Sequence, residues 1–212
     1  MEQEIVTPTD AECPAASELS REMPRGCGTG LLWFAGLLLL FVIFAFWQFH
    51  GYVNKVVRAD AQSTTMAIYN AVDQYHAEYE RLPAPESATI GRDWDTNSSA
   101  EENLISILKG RDADANLKAI DFLGDIKDAK QDGGKFLNGV ILTGAAIALV
   151  DPWGQPYHIR LDGDGDGFVA NPNPGDYPVT RIAKPAIIWS AGKDGDPETW
   201  KDNVGSWTSA SY

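Results

Sequence analysis

Leu31 to Phe49 reads LLWFAGLLLLFVIFAFWQF, and no other stretch of the 212-residue chain limits its fold so strongly. About 19 residues with Gln48 as the only strongly polar one is near the minimum length for a helix that crosses a bilayer. A cleaved signal peptide has a shorter apolar core, a basic front and a small-residue cleavage site, whereas here about 30 residues precede the run and QFHGYVNKVV follows it. The reading is an uncleaved single-pass anchor. A lipoprotein signal is excluded, because Cys27 lies before the apolar run and not after it. Arg21 and Arg25 on one side balance Lys55 and Arg58 on the other, so flanking charge leaves the orientation tied. Both thiols, Cys13 and Cys27, precede the run, which assigns the N-terminus to a reducing cytoplasmic side and the acidic remainder to the outside. Residues 1–30, rich in Glu, Pro and Ala without periodicity, are expected to form a disordered tail.

The helix is expected to continue out of the membrane. From Tyr52 to Arg81 there is no Gly or Pro, and Val53, Val57, Ala61, Thr64, Ile68, Val72, Tyr75 and Tyr79 recur at three- or four-residue spacing. Residues 51–83 therefore read as an amphipathic helix fused to the anchor. It stops at RLPAP, where Pro83 turns Leu82 away from helical geometry.

The remaining 84–212 reads as one α+β domain. Ser99 as N-cap and Glu102 three residues on announce a short helix with Leu104, Ile105 and Leu108 on its apolar face, ended by Gly110. A weaker helical stretch is expected around ANLKAIDFLGDI. Tyr157, Ile159 and Leu161 alternate with His158 and Arg160 as a half-buried strand, and FVA and PAIIW supply two more. Between an apolar run and the alternating strand lies DPWGQPY, Asp151 to Tyr157. Pro152 fixes φ, Gly154 permits positive φ and Asp151 can accept from the backbone ahead of it, so the stretch is a sharp turn whose two large rings, Trp153 and Tyr157, need a core to lie against.

A formal net charge of −13 excludes a nucleic-acid surface, which needs clustered Lys and Arg, and suits cations. Catalytic chemistry finds little support. His50, His76 and His158 have no zinc spacing, and there is no nucleophile elbow, phosphate loop or CxxC. No small-molecule substrate is expected.

Two acidic loops stand out. After IIWS come Asp194, Asp196, Glu198, Asp202 and Asn203 within ten residues, with Gly192 and Gly195 between, a donor set matching the six to eight oxygens of a calcium shell or, equally, a solvated acidic turn. LDGDGDGF supplies Asp162, Asp164 and Asp166 before Gly167, the opening of an EF-hand-like loop whose twelfth position is Asn173 where a bidentate Glu belongs. It reads as an acidic hairpin turn or as a second calcium site.

Taken together, the apolar helix running on into a tyrosine-bearing amphipathic half that ends at Pro, the DPWGQPY corner and the closing WSAGKDGDPETWKDNVGSW resemble the major pseudopilins of type II secretion and their type IV pilin relatives, from about Tyr52 to Trp207. The resemblance implies a pilin-like α+β fold, a long N-terminal helix whose second half packs on a small antiparallel sheet, with DPWGQPY starting the first hairpin and laying Trp153 against the core. It further implies one calcium in the later loop, held by Asp194, Asp202 and Asn203 with carbonyls near Ser190 and Ala191, and Asp196 beside them. Other pilin-like subunits or secretion components are the implied partners, in a bacterial inner membrane with the domain in the periplasm. One departure is large. The family's cleavage motif carries an acidic residue at the fifth mature position, whereas cuts after Gly26, Gly28 or Gly30 would place Leu31, Trp33 or Ala35 there, and no acidic residue occurs between Cys27 and Ala59. In lipid that acid neutralises the new terminal amine, so an uncut chain has no use for it. The expectation is a full-length structural subunit or, as the alternative, an anchor presenting a calcium-stabilised binding module that does not polymerise.

Overall fold

In the computed structural model the described residues are 27–84, 93–95, 104–143, 146–175 and 179–207. Of the tail expected over 1–30, residues 1–26 lie outside them, as do the N-cap Ser99 and its partner Glu102, whereas residues 27–30 are already helical and not tail. The chain divides into two units, Met1–Phe49 and His50–Tyr212.

Helix α1, Cys27–Tyr79, is continuous. In the first unit its side chains from Trp33 to Phe49 are all exposed, apolar almost throughout, and α1 is the one helix among the described residues long and apolar enough to cross a membrane. Such a surface is stable only under lipid or another apolar cover.

In the second unit α1 buries Ala61, Thr65, Ile68, Ala71, Val72 and Tyr75, three or four residues apart and so on one face. The expected stripe holds from Ala61 onward with two corrections. Val53 is 39% exposed, and Thr65, not Thr64, is the fully buried hydroxyl. Thr65 sits four residues after Ala61 and three before Ile68, and its hydroxyl donates to the Gln62 carbonyl at 2.8 Å, which removes the cost of burying it. The helix ends four residues short of Pro83, at Tyr79, with Glu80 in the left-handed region (φ 53°) and its N–H on the His76 carbonyl at 2.8 Å.

The strands are short: β1 (Asp93–Asp95), β2 (Lys130–Asp132), β3 (Lys135–Leu137), β4 (Gly139–Thr143), β5 (Ala146–Val150), β6 (Tyr157–Leu161), β7 (Val169–Ala170), β8 (Arg181–Ile182), β9 (Ala186–Ser190) and β10 (Val204–Gly205), with helix α2 (Leu104–Leu108) between β1 and β2. A four-stranded antiparallel sheet has the order β1-β6-β9-β10, and β2–β3, β4–β5 and β7–β8 form two-stranded ribbons. The class is α+β. In β6 Tyr157, Ile159 and Leu161 are buried and alternate with half-buried His158 and Arg160, as the period of two requires. These three join Ile68, Val72 and Tyr75 of α1, the buried face of α2 and Ala186 and Ile188 of β9 in the main core. A second cluster holds Val169, Ile182, Ile187 and Trp189, with half-buried Trp200 and Trp207 against it. Adjacent residues of β9 thus enter different cores, which is why the whole strand is buried.

The helix expected around ANLKAIDFLGDI is absent: from Arg111 to Ile126 the chain makes a succession of turns. Side chains take the backbone groups that a helix would use. Asp112 Oδ1 accepts from the N–H groups of Asp114 and Ala115, and Asp121 Oδ1 from that of Leu123. Asn116, fully buried, donates to the carbonyls of Ile107 and Ile120 at 2.8 Å each and accepts from the Tyr79 hydroxyl at 2.6 Å. The Tyr75 hydroxyl and the Arg81 guanidinium both donate to the Ala115 carbonyl. This segment locks onto the end of α1.

Candidate cation loops and the corner that meets one of them

The corner is built around its first residue. Asp151 is fully buried, and its Oδ1 accepts from the N–H groups of Trp153 at 2.9 Å and Gln155 at 2.8 Å, closing the turn. Its Oδ2 accepts from the hydroxyl of Ser190, the last residue of β9. Burial pushes this carboxyl above the usual range, while the Ser190 hydroxyl and the N–H groups of Gln155, Trp153 and Gly154 pull it back. The corner carries the chain from the β4–β5 ribbon, across an antiparallel bridge between Val150 and Pro156, into β6, which pairs antiparallel with β9, so it does lead into an antiparallel pair of the sheet. One expectation for it is corrected. Trp153 is half-buried and belongs to neither core cluster; the ring that fills the core is Tyr157. A turn held by Asp151 needs no ring to anchor it. Burial holds the Tyr157 phenol far above its usual range, with the Thr64 hydroxyl of α1 as the side chain that offsets this.

In the earlier loop Asp162, Asp164 and Asp166 each bring a carboxylate oxygen within 4.8 Å of the others, the one such group of acidic, His or Cys side chains among the described residues. Asp162 is buried and accepts from the N–H groups of Gly165 at 2.9 Å and Gly167 at 2.7 Å. Asp166 pairs with the Arg181 guanidinium, which holds its carboxyl below the usual range and stacks over the Phe168 ring at 5.2 Å. Arg181 enters because β7 and β8 pair. The cluster therefore gathers oxygens that suit a hard cation and already holds one internal positive charge.

The later loop is arranged otherwise. Asp202 Oδ2 accepts from the N–H groups of Lys193 at 2.7 Å and Asp194 at 3.2 Å. Asp194 accepts from the Asp196 N–H at 3.0 Å and the Thr199 hydroxyl at 2.6 Å, and these bonds, the Thr199 one foremost, hold its carboxyl below the usual range. Asp196 accepts from the Glu198 N–H at 3.0 Å. Its carboxylates are thus spread over backbone donors. Gly192 has φ +70°, and a Cβ there would lie 2.6 Å from the Asp202 carbonyl oxygen, so only glycine lets the two ends of the loop touch. Asn203 is 8% exposed; its Nδ2 donates to the Pro197 carbonyl at 2.9 Å, while Oδ1 is buried without a hydrogen-bond partner. A buried amide oxygen lacking a donor is a group that a cation would satisfy. Ser190 and Ala191, singled out in the sequence for their carbonyls, are both buried at the loop's entrance.

Sequence reasoning missed Ser190 as a hydroxyl donor, Arg181 as the countercharge of the earlier loop and Asn116 as a buried hub. Only Asn116 left a signal, as a polar residue in a weakly periodic stretch. No family model, curated protein or solved structure matches the chain.

Proposed function

We propose that this chain is a membrane-anchored, pilin-like structural subunit of a type II secretion or type IV pilus-type machine. The observation that carries the reading is α1 itself: one unbroken helix whose first half is apolar and uncovered and whose second half buries one face, from Ala61 to Tyr75, in a core shared with an antiparallel sheet. The sequence motifs at Asp151–Tyr157 and Ser190–Trp207 support the same plan. In this reading the apolar half spans a bacterial inner membrane with the N-terminus cytoplasmic, the domain is periplasmic, and the partners are other pilin-like subunits. The role is structural and not catalytic.

Calcium stabilises the domain in this reading. Asp194, Asp202 and Asn203, with the carbonyls of Ser190 and Ala191, would hold it, since an all-oxygen set suits a hard cation and the Asn203 amide oxygen is otherwise unsatisfied. Asp162, Asp164 and Asp166 form the second candidate. Bound ion would tie the loop's ends and offset repulsion among its carboxylates.

A second reading, a lone anchored module, is favoured by the absence of any acidic residue from Cys27 to Ala59. Intact mass of the protein extracted from native membranes, with a photo-crosslinker at Ile43, separates the two. The subunit reading expects a full-length mass and crosslinked ladders containing further pilin-like chains. Monomer alone at full crosslinking yield supports the lone module, and a methylated N-terminus near Leu31 overturns the expectation of an uncut chain.

A further inference from the structure

The 190–203 loop meets the DPWGQPY corner at two places. At the first, the Asp151 carboxylate takes the single proton of the Ser190 hydroxyl, which leaves the Ser190 oxygen to accept the Gly192 N–H at 3.0 Å. A hydroxyl has one hydrogen and two lone pairs, so once that hydrogen is given to Asp151 any further bond is one the oxygen receives. At the second, Gly195 lies against the Gln155 side chain, where an added Cβ would be 3.1 Å from Nε2. Asp151 and Ser190 are both fully buried, so water does not compete for these bonds. Gly192 in turn is the residue on which the Asp202 backbone rests.

We propose that Asp151 is a positioning residue, which latches the corner to the 190–203 loop through Ser190 and thereby sets the shape in which that loop receives a cation. The second half of this statement rests on the cation reading given above; the first does not. A buried carboxylate held by one hydroxyl and a set of N–H donors has a fixed direction, and the chain Asp151, Ser190, Gly192, Asp202 passes that direction to the two ends of the loop. Loss of the acceptor lets the Ser190 hydroxyl turn, the Gly192 N–H loses its partner, and the loop entrance opens.

The test uses the full chain in detergent micelles. Ser190→Ala removes the link directly, and Asp151→Asn keeps an oxygen for the Trp153 and Gln155 N–H groups while it places an amide where the Ser190 proton was received. Amide hydrogen exchange with calcium chelated reads the latch: Gly192, Lys193 and Asp194 should exchange at least about tenfold faster in both variants, with β6 and α2 amides unchanged. Loop amides that exchange at the wild-type rate in either folded variant overturn the latch. Calcium titration of the same samples reads the consequence, an affinity about tenfold weaker in both. Faster exchange with unchanged affinity overturns the link to cation binding, whereas a wild type indifferent to calcium sinks the cation reading and leaves exchange to decide the latch.

Discussion

The two acidic loops solve the same problem, several carboxylates in a short span, by opposite means. In the 162–167 loop the carboxylates converge and Arg181 supplies a positive charge from a neighbouring ribbon. In the 190–203 loop they are taken up by backbone N–H groups and the Thr199 hydroxyl, and the loop is shaped from outside, through Ser190, by a buried carboxylate. The first arrangement is exposed at Asp164, Asp166 and Arg181, with Asp162 alone buried. The second depends on the core. A loop that depends on buried groups should respond strongly to distant substitutions, whereas one neutralised by an exposed ion pair should not.

Ile68→Asp disrupts the main core that holds β6 and β9, the strands leading into the two loops, and should erase the comparison. Ile68 is fully buried in the main core, and a lone carboxylate there costs several kcal/mol, roughly the whole stability of such a domain. Circular dichroism should show the domain unfolded; an unchanged melt would remove this helix face from the core.

Asp151→Ala is the next largest change. It strands the Ser190 hydroxyl and the N–H groups of Trp153 and Gln155, at a cost of about 3 kcal/mol by denaturant melt, and should disorder the later loop while the earlier one keeps its Asp166–Arg181 pair. Equal loss of order in both loops would show that they are not held independently.

The smallest effect is on pH dependence, and its sign differs between the regions. Asp151 has its folded pKa raised, by burial first, so its stabilising contribution is complete below the ordinary carboxylate pKa and is lost as pH rises through the raised value. Asp166, lowered chiefly by Arg181, and Asp194, lowered chiefly by Thr199, contribute above the ordinary pKa and lose that contribution as pH falls through the lowered values. On acidification from about pH 6 to about pH 3, around the ordinary carboxylate pKa, the melting advantage of wild type over Asp166→Asn should shrink, while wild type gains on Asp151→Asn. Differences that move together would contradict the assignment.

How much of this is legible in the sequence follows from the range of the forces involved. The apolar run, the stripe from Ala61 to Tyr75 and the alternation in β6 are periodic and local, and the structure keeps them. The turns after Gly110 read as helix because their apolar spacing is helical, while the deciding group is one buried amide, Asn116, bonded to residues on both sides of it. At the candidate site the acidic residues themselves are plain. Their partners are not: Arg181 reaches Asp166 only through the β7–β8 pairing, and Asp151 meets Ser190 only because β6 lies beside β9. Trp153 draws attention by its size, yet the corner is held by the smaller Asp151.

On the reading proposed above, calcium acts on this domain at the 190–203 loop, which the core shapes. Thermal melting of the full-length protein in micelles, in calcium and in chelator, tests it most directly with wild type, Asp194→Ala and Asp164→Ala side by side. At calcium a hundredfold above its dissociation constant the wild type should gain about 2.7 kcal/mol. Asp194→Ala should lose most of that gain and Asp164→Ala should keep most of it. Equal melting of the wild type with and without calcium, or loss of the gain in Asp164→Ala alone, would contradict the account.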